Sequence, residues 1–246
     1  MQSLMNDSRN SAPSGFTLLE DATRPLGLTA RLAVTNRQRE DVFALRHKSY
    51  LAGGFIDKRP GGLFSDPYDD RPNCQSIIVY RRARPVASVR VCVLDPDPAR
   101  PGWQDIPALH VFPDEIAETL AAQPHAEGGR AIEINRLVRH PDCAADPGLV
   151  FVLFHLAGYM ILRHGAGIVF SCVRKNHIPF YKRLKFSLIA GPRSYPELKF
   201  ATSLLGCSRE NYQDVQRMMP LLENQSPDAD FSNMIEGKTV AVFGRP

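Results

Sequence analysis

Apolar and polar residues alternate from Leu28 to Thr35 (LTARLAVT), the two-residue period of a half-buried strand. Asn36 then offers a helix cap, and a helix is predicted to about Leu51. Its apolar residues Val42, Phe43 and Leu45 sit beside Arg46 and Tyr50, which are four apart and share a face. Between residues 52 and 73 (AGGFIDKRPGGLFSDPYDDRPN) the period disappears among Gly, Pro and Asp. A loop this long in a compact domain is usually functional or disordered. Two strand-like runs follow, Gln75–Tyr80 and Pro85–Leu94, and the short link Arg81–Arg84 predicts an antiparallel hairpin.

Residues 95–111 form a second irregular stretch, Phe112–Ala122 a short helix, and Arg130–Arg139 a strand followed by the loop His140–Pro147. The most apolar run, Leu149 to Leu162, is 14 residues long and broken by His155 and Gly158. It is too short to span a bilayer and reads as the centre of a buried helix, Gly148–Arg163. A strand at Gly167–Val173, a short helix at His177–Lys185 and a strand at Phe186–Ala190 come next. Lys199–Leu205 and Arg209–Met219 complete the series, and Thr239–Phe243 either adds an edge strand or stays loose. This order predicts an α/β fold: a mixed sheet with helices on its faces. Residues 1–25 read as a flexible tail, 26–222 as one domain and 223–246 as a C-terminal tail.

Composition narrows the picture only slightly. The 246 residues are 43% hydrophobic and 23% charged, ordinary for a globular protein, and the formal net charge is +4. That excess is too small to argue for nucleic acid, and no aromatic residues interleave with the basic ones. Residues 1–15 lack the apolar core of a signal peptide. Five scattered cysteines give no disulfide framework and no zinc spacing, so a reduced cytoplasm is the expected location. His140, Asp142 and Cys143 lie close together in an order that matches no metal pattern, and no metal site is expected.

Two sets of residues carry more information. The segment Asn176-His-Ile-Pro-Phe-Tyr-Lys-Arg-Leu-Lys-Phe186 resembles the end of a GNAT acyltransferase domain, with Phe180, Tyr181, Leu184 and Phe186 matching and Lys185 standing where Gly is usual. Phe180 and Leu184 are also four apart, as core residues on one helix face would be. Earlier, Arg46-His-Lys-Ser-Tyr50, Asp66-Pro-Tyr-Asp-Asp70, Ser88-Val-Arg90 and Glu133-Ile-Asn-Arg136 follow in order. Acyl-homoserine lactone synthases resemble this set: an Arg on the first helix, Asp-x-Tyr-Asp in the next loop, an Arg on a central strand and Glu-x-x-Arg on the next. They also carry a Trp shortly after the first Arg; here that region has Tyr50, and the single Trp is at 103. The run Tyr50–Ile56 and the GNAT ending look more like the long-chain N-acyl amino acid synthases. That resemblance implies a splayed central sheet and transfer of a fatty acyl group to an amino acid. The donor would be acyl carrier protein or coenzyme A, so that an acyl-phosphopantetheine is co-substrate and no cofactor is tightly bound. The amphiphilic product could leave at a membrane surface. The acetyltransferase glycine signature is absent from Arg139–Gly148, which favours the carrier protein.

Carried over by motif, Glu133, Arg136, Arg46 and Asp69 are the catalytic candidates, and Arg90, Asp66 and Tyr50 the substrate-binding ones. Glu133 is the candidate base; paired with an Arg it would have a lowered pKa and make a poor one. Glu133 and Arg136 are three apart, so on a regular strand they face opposite ways, and they share a site only where the strand bulges. The splayed strand that the resemblance implies would also free backbone N–H groups of Leu137, Val138 and Arg139 as oxyanion donors. The arginines and acids form either a carboxylate clamp for the acceptor or a network that orders the 52–73 loop. Arg174, Lys175, Lys182, Arg183 and Lys185, or Arg81, Arg82 and Arg84, would steer an acidic carrier protein; the plainer reading is a solvated basic face. Two alternatives stand beside the synthase: a lactone synthase using S-adenosylmethionine, and a GNAT-like domain that binds an acyl chain without turnover.

Overall fold

The computed structural model describes residues 27–122, 129–195, 197–218 and 232–242; the expected N-terminal tail and most of the C-terminal tail lie outside them. Among the described residues eight strands form one sheet: β1 (Leu28–Leu32), β2 (Cys74–Arg81), β3 (Arg84–Leu94), β4 (Ala131–Arg139), β5 (Ile168–Val173), β6 (Ser187–Ser194), β7 (Ala201–Ser208) and β8 (Val240–Val242). Their order is β6-β7-β5-β4-β3-β2-β1-β8. Every neighbouring pair is antiparallel except β4 and β5. Thr239–Phe243 therefore supplies an edge strand rather than staying loose, over Val240–Val242.

The helices are α1 (Asn36–Ala52), α2 (Pro113–Ala121), α3 (Gly148–His164), α4 (Ile178–Arg183), α5 (Arg209–Met218) and α6 (Ser232–Ile235). Helix α1 is capped by Thr35, not by Asn36. The Thr35 hydroxyl accepts from the Gln38 amide while Gln38 Oε1 accepts from the Thr35 amide at 3.0 Å. This reciprocal box satisfies two amides that the first turn leaves open, and Asn36 becomes the first helical residue.

The strand period sorts side chains between the two faces. Ile132 and Ile134 of β4 and Val89, Val91 and Val93 of β3 pack with Leu149, Val152, Leu153 and Leu156 of α3. Burying such side chains contributes roughly 2 kcal/mol each, and α3 is apolar on nearly all sides because sheet and chain enclose it. The opposite face carries Ala131, Cys92, Leu94 and Phe170 under Ile116 of α2, and Val138 under Leu45 and Tyr50 of α1. Arg90, Glu133 and Asn135 share this second face, and all three are buried.

Two irregularities of β4 shape the site. First, Arg90 pairs with Asn135 while Ser88 pairs with Val138, so two steps along β3 match three along β4. The extra residue is a β-bulge, and Arg136 within it has φ +50°. Second, β4 and β5 pair only from Ala131–Ile168 to Glu133–Phe170. Beyond that point the two strands diverge, although β4 runs on to Arg139 and β5 to Val173.

Candidate active site

The bulge turns Arg136 onto the face that already carries Glu133 and Asn135. There it meets the 52–73 loop, which is ordered rather than structureless, with two short 3-10 turns and the buried anchors Ile56 and Phe64. Asp66 accepts from the Tyr68 amide at 2.9 Å, and Asp69 accepts from the Asp66 amide at 2.9 Å, so the two acids close the second turn on themselves. Their remaining capacity goes to arginines. Both Asp69 oxygens accept from Arg46 Nη1 at 2.8 Å, and Arg46 Nη2 donates to Ser76 Oγ. Arg90 Nη1 donates to Asp66 at 2.7 Å and Asp69 at 3.0 Å, and its Nε to Asn135 Oδ1. Arg136 donates through Nε and Nη2 to Asp66 Oδ2, at 3.0 and 2.7 Å. All of these side chains are buried, Arg46 and Arg90 completely. Burial alone would raise the Asp66 carboxyl, but hydrogen bonds and charges from Arg90 and Arg136 outweigh it and hold it well below the usual carboxylate range.

Glu133 stands apart from this network. Among the described residues it makes no ion pair; Oε2 accepts from the Ala108 amide at 2.8 Å and Oε1 makes no hydrogen bond. Burial pushes its carboxyl up, against opposing interactions from Asn135, the Ala108 N–H and the two nearby arginines. The poor-base argument, which required an Arg partner, does not hold here: Asp66 and Asp69 take the arginines.

Where β4 and β5 part, a cavity of about 730 Å³ opens through the sheet. On the α3 side it is lined by Ile134, Leu137, Val150, Phe151, Phe154 and Phe180, and on the α1 side by Tyr50, Phe55, Asn135, Arg136, Tyr195 and Thr202. Its size and mostly apolar walls suit an elongated ligand. Of the sequence-derived candidates, Tyr50, Arg136, Leu137, Val138, Arg139 and Arg174 line it; Arg46, Asp66, Asp69, Arg90 and Glu133 do not. Glu133 lies one same-face step from Asn135 on β4, and its charge helps to raise the nearby, deeply buried Tyr195 hydroxyl, an effect second to burial itself.

The structure resembles known acyltransferases. It aligns with the structure of FeeM, an N-acyl amino acid synthase from uncultured soil microbes, at 12% identity and a TM-score of 0.62, over 80% of this chain and 97% of that one. It aligns with the coenzyme A-dependent acyl-homoserine lactone synthase BjaI at 19% identity and a TM-score of 0.51, over 78% and 88% of the two chains. At these identities the likeness is one of fold. No curated protein sequence matches. The family model of the N-acyl amino acid synthase FeeM, however, matches residues 41–208.

The chain belongs to the FeeM family of N-acyl amino acid synthases.

It is thus an acyltransferase with the GNAT fold, as the Arg46–Arg136 and Asn176–Phe186 segments implied. The mouth of the cavity in this family member is basic. Arg174 lies over the Phe55 ring at 4.1 Å and contacts His177 Nε2 at 3.0 Å, while Lys175, Lys182, Arg183 and Lys185 nearby are exposed. The other basic group is largely neutralised: Arg81 pairs with Asp146 at 2.7 Å and Arg84 with Asp142 at 2.5 Å. His140 and Asp142, which sit together in the sequence, thus serve as partners of Arg84. Tyr195, Thr202 and the Ala108 amide had no signal in the sequence, because they reach the site from the residue after β6, from β7 and from the 95–111 stretch without a local motif. No helix among the described residues is long and apolar enough to cross a membrane.

Proposed function

We propose that this enzyme transfers a fatty acyl group from the phosphopantetheine of acyl carrier protein to the amine of an amino acid. The observation that carries the reading is the cavity between diverging β4 and β5, apolar toward α3 and polar toward α1. The thioester enters on the α3 side, with its acyl chain along Val150, Phe151, Phe154 and Phe180. The acceptor enters on the α1 side. The two meet in the gap of the sheet, which holds them in line for direct attack without a covalent enzyme intermediate.

Glu133, set back from the cavity behind Asn135, takes the amine proton through water. Burial raises its carboxyl toward the range useful for a general base, and its free Oε1 gives the proton a place to go. The developing oxyanion needs donors in the gap. The His140 amide donates to Val86 of β3 at 2.8 Å. Antiparallel alternation then turns the Val138 amide toward β3 and the Leu137 and Arg139 amides toward the opening. Of the three amides expected as donors, those two fit the role. Arg46 and Arg90 act at one remove from the chemistry. With Asp66 and Asp69 they pin the 52–73 loop under Arg136.

Mass spectrometry of lipid extracts from bacteria expressing the chain, beside the Glu133→Gln variant, tests this. New N-acyl amino acids are expected with the native chain, and a product level lower by about 100-fold or more with the variant. Acyl-homoserine lactones in their place, or undiminished product from Glu133→Gln, would sink the assignment of acceptor or of base respectively.

A further inference from the structure

Three polar atoms on the α1 side of the cavity are buried and make no hydrogen bond among the described residues: Nη1 of Arg136, the hydroxyl of Tyr195 and Oγ1 of Thr202. Their residues are 7%, 7% and 2% exposed, and all three line the cavity. The Arg136 guanidinium carbon lies 5.6 Å from the centre of the Tyr195 ring. A buried donor without an acceptor is costly, more so when charged, and a folded protein rarely leaves three of them around one space.

Charge points the same way. Arg46, Arg90 and Arg136 pair with two aspartates, Asp66 and Asp69, while the third nearby carboxylate, Glu133, makes no ion pair among the described residues and does not line the cavity. Arg136 is the member that reaches the cavity. The cavity wall carries Arg136, Arg139 and Arg174 and, among the described residues, not a single Asp or Glu. Such a site favours an anion small enough to sit beside the reacting amine.

We propose that Arg136, Tyr195 and Thr202 together form the subsite for the acceptor's carboxylate. Arg136 supplies charge and one N–H, and the two hydroxyls supply neutral donors from the β6–β7 hairpin. This rests on the acceptor reading above and sharpens it: the enzyme takes amines that carry a free carboxylate and rejects their amides and esters. Burial keeps the Tyr195 hydroxyl protonated, as a donor must be.

The test offers each standard amino acid with an acyl donor, then compares every one that is taken with its primary amide and methyl ester. The free acid is expected to be favoured by about 100-fold or more in kcat/KM. Tyr195→Phe, which keeps the ring, should raise KM for the free acid about 10-fold with kcat nearly unchanged, and leave the amide as it was. Thr202→Val, close in shape, should act in the same direction and less. Calorimetric titration of the native protein with the same acid and amide pairs, without donor, reads the subsite independently of turnover. Equal binding of acid and amide, no binding of either, or a Tyr195→Phe effect that falls equally on both would overturn the clamp. If acids bind selectively but no donor yields product, the clamp stands and the synthase reading falls; if amides are acylated as readily as acids, the reverse holds.

Discussion

At the scale of single residues, the site depends on how two acids are shared among three arginines. Asp66 accepts from Arg90 and Arg136 and from a backbone amide at once. Its carboxyl is held below the usual range, so the stability it contributes is present above about pH 4 and is lost as pH falls through that value toward the folded pKa. Chemical denaturation at pH 7 and pH 3 checks this. The native protein should lose stability on acidification, while Asp66→Asn should be weaker by about 3 kcal/mol at pH 7 and less sensitive to the pH change. An Asp66→Asn protein as stable as the native one at pH 7 would mean that the arginines find other partners. Glu133 shows the opposite condition. With the aspartates occupying the arginines, it has the Ala108 amide and the neighbouring Asn135 side chain rather than an ion-pair partner, and its carboxyl is raised. The sequence showed all six charged residues in order, but not which acid would pair with which base, since that depends on distances across three elements.

Among the elements, positive φ values mark where the chain bends against residue preference. The β2–β3 link is two residues, Arg82 and Ala83, shorter than the Arg81–Arg84 link read from the sequence; both have positive φ, +49° and +64°. This is the twist that Asn-Gly serves without strain. The double substitution Arg82→Asn, Ala83→Gly should stabilise the fold by about 1 kcal/mol, seen as a higher melting temperature with activity unchanged. No change in melting temperature would show that the turn is not strained. Lys185 has φ +62°, which explains physically why a Gly usually stands at that point of the GNAT ending. Arg136 has φ +50° for a different reason: the left-handed residue makes the bulge, and the bulge puts the guanidinium over the cavity. Periodicity signalled the strand; only the ladder to β3 revealed the extra residue in it.

Over the whole molecule, charge is distributed around one opening. Lys182, Arg183 and Lys185 are exposed beside the mouth that Arg174, His177 and Phe180 line. If acyl carrier protein docks there, Lys182→Glu with Arg183→Glu should lower kcat/KM for the acyl-carrier donor by about 10-fold or more, with an effect that shrinks at high salt. The same variant assayed with a long-chain acyl-coenzyme A should change little. Equal loss with both donors would place the carrier elsewhere, and the neutralised Arg81–Arg84 group is a poor substitute.

Much of this protein is determined locally. The order of strands and helices, the buried α3, the charged set from Arg46 to Arg136 and the GNAT ending follow from period, capping and motif, because each depends on neighbours within a few residues. The cap itself moved by one position, from Asn36 to Thr35, since the choice turns on which backbone leaves the extended region first. What only the tertiary structure decided is everything that spans strands: the divergence of β4 from β5, the bulge at Arg136, the isolation of Glu133, and the arrival of Tyr195 and Thr202 from the β6–β7 hairpin. Those features arise from pairing between segments far apart in the chain, and no single segment encodes its register against another.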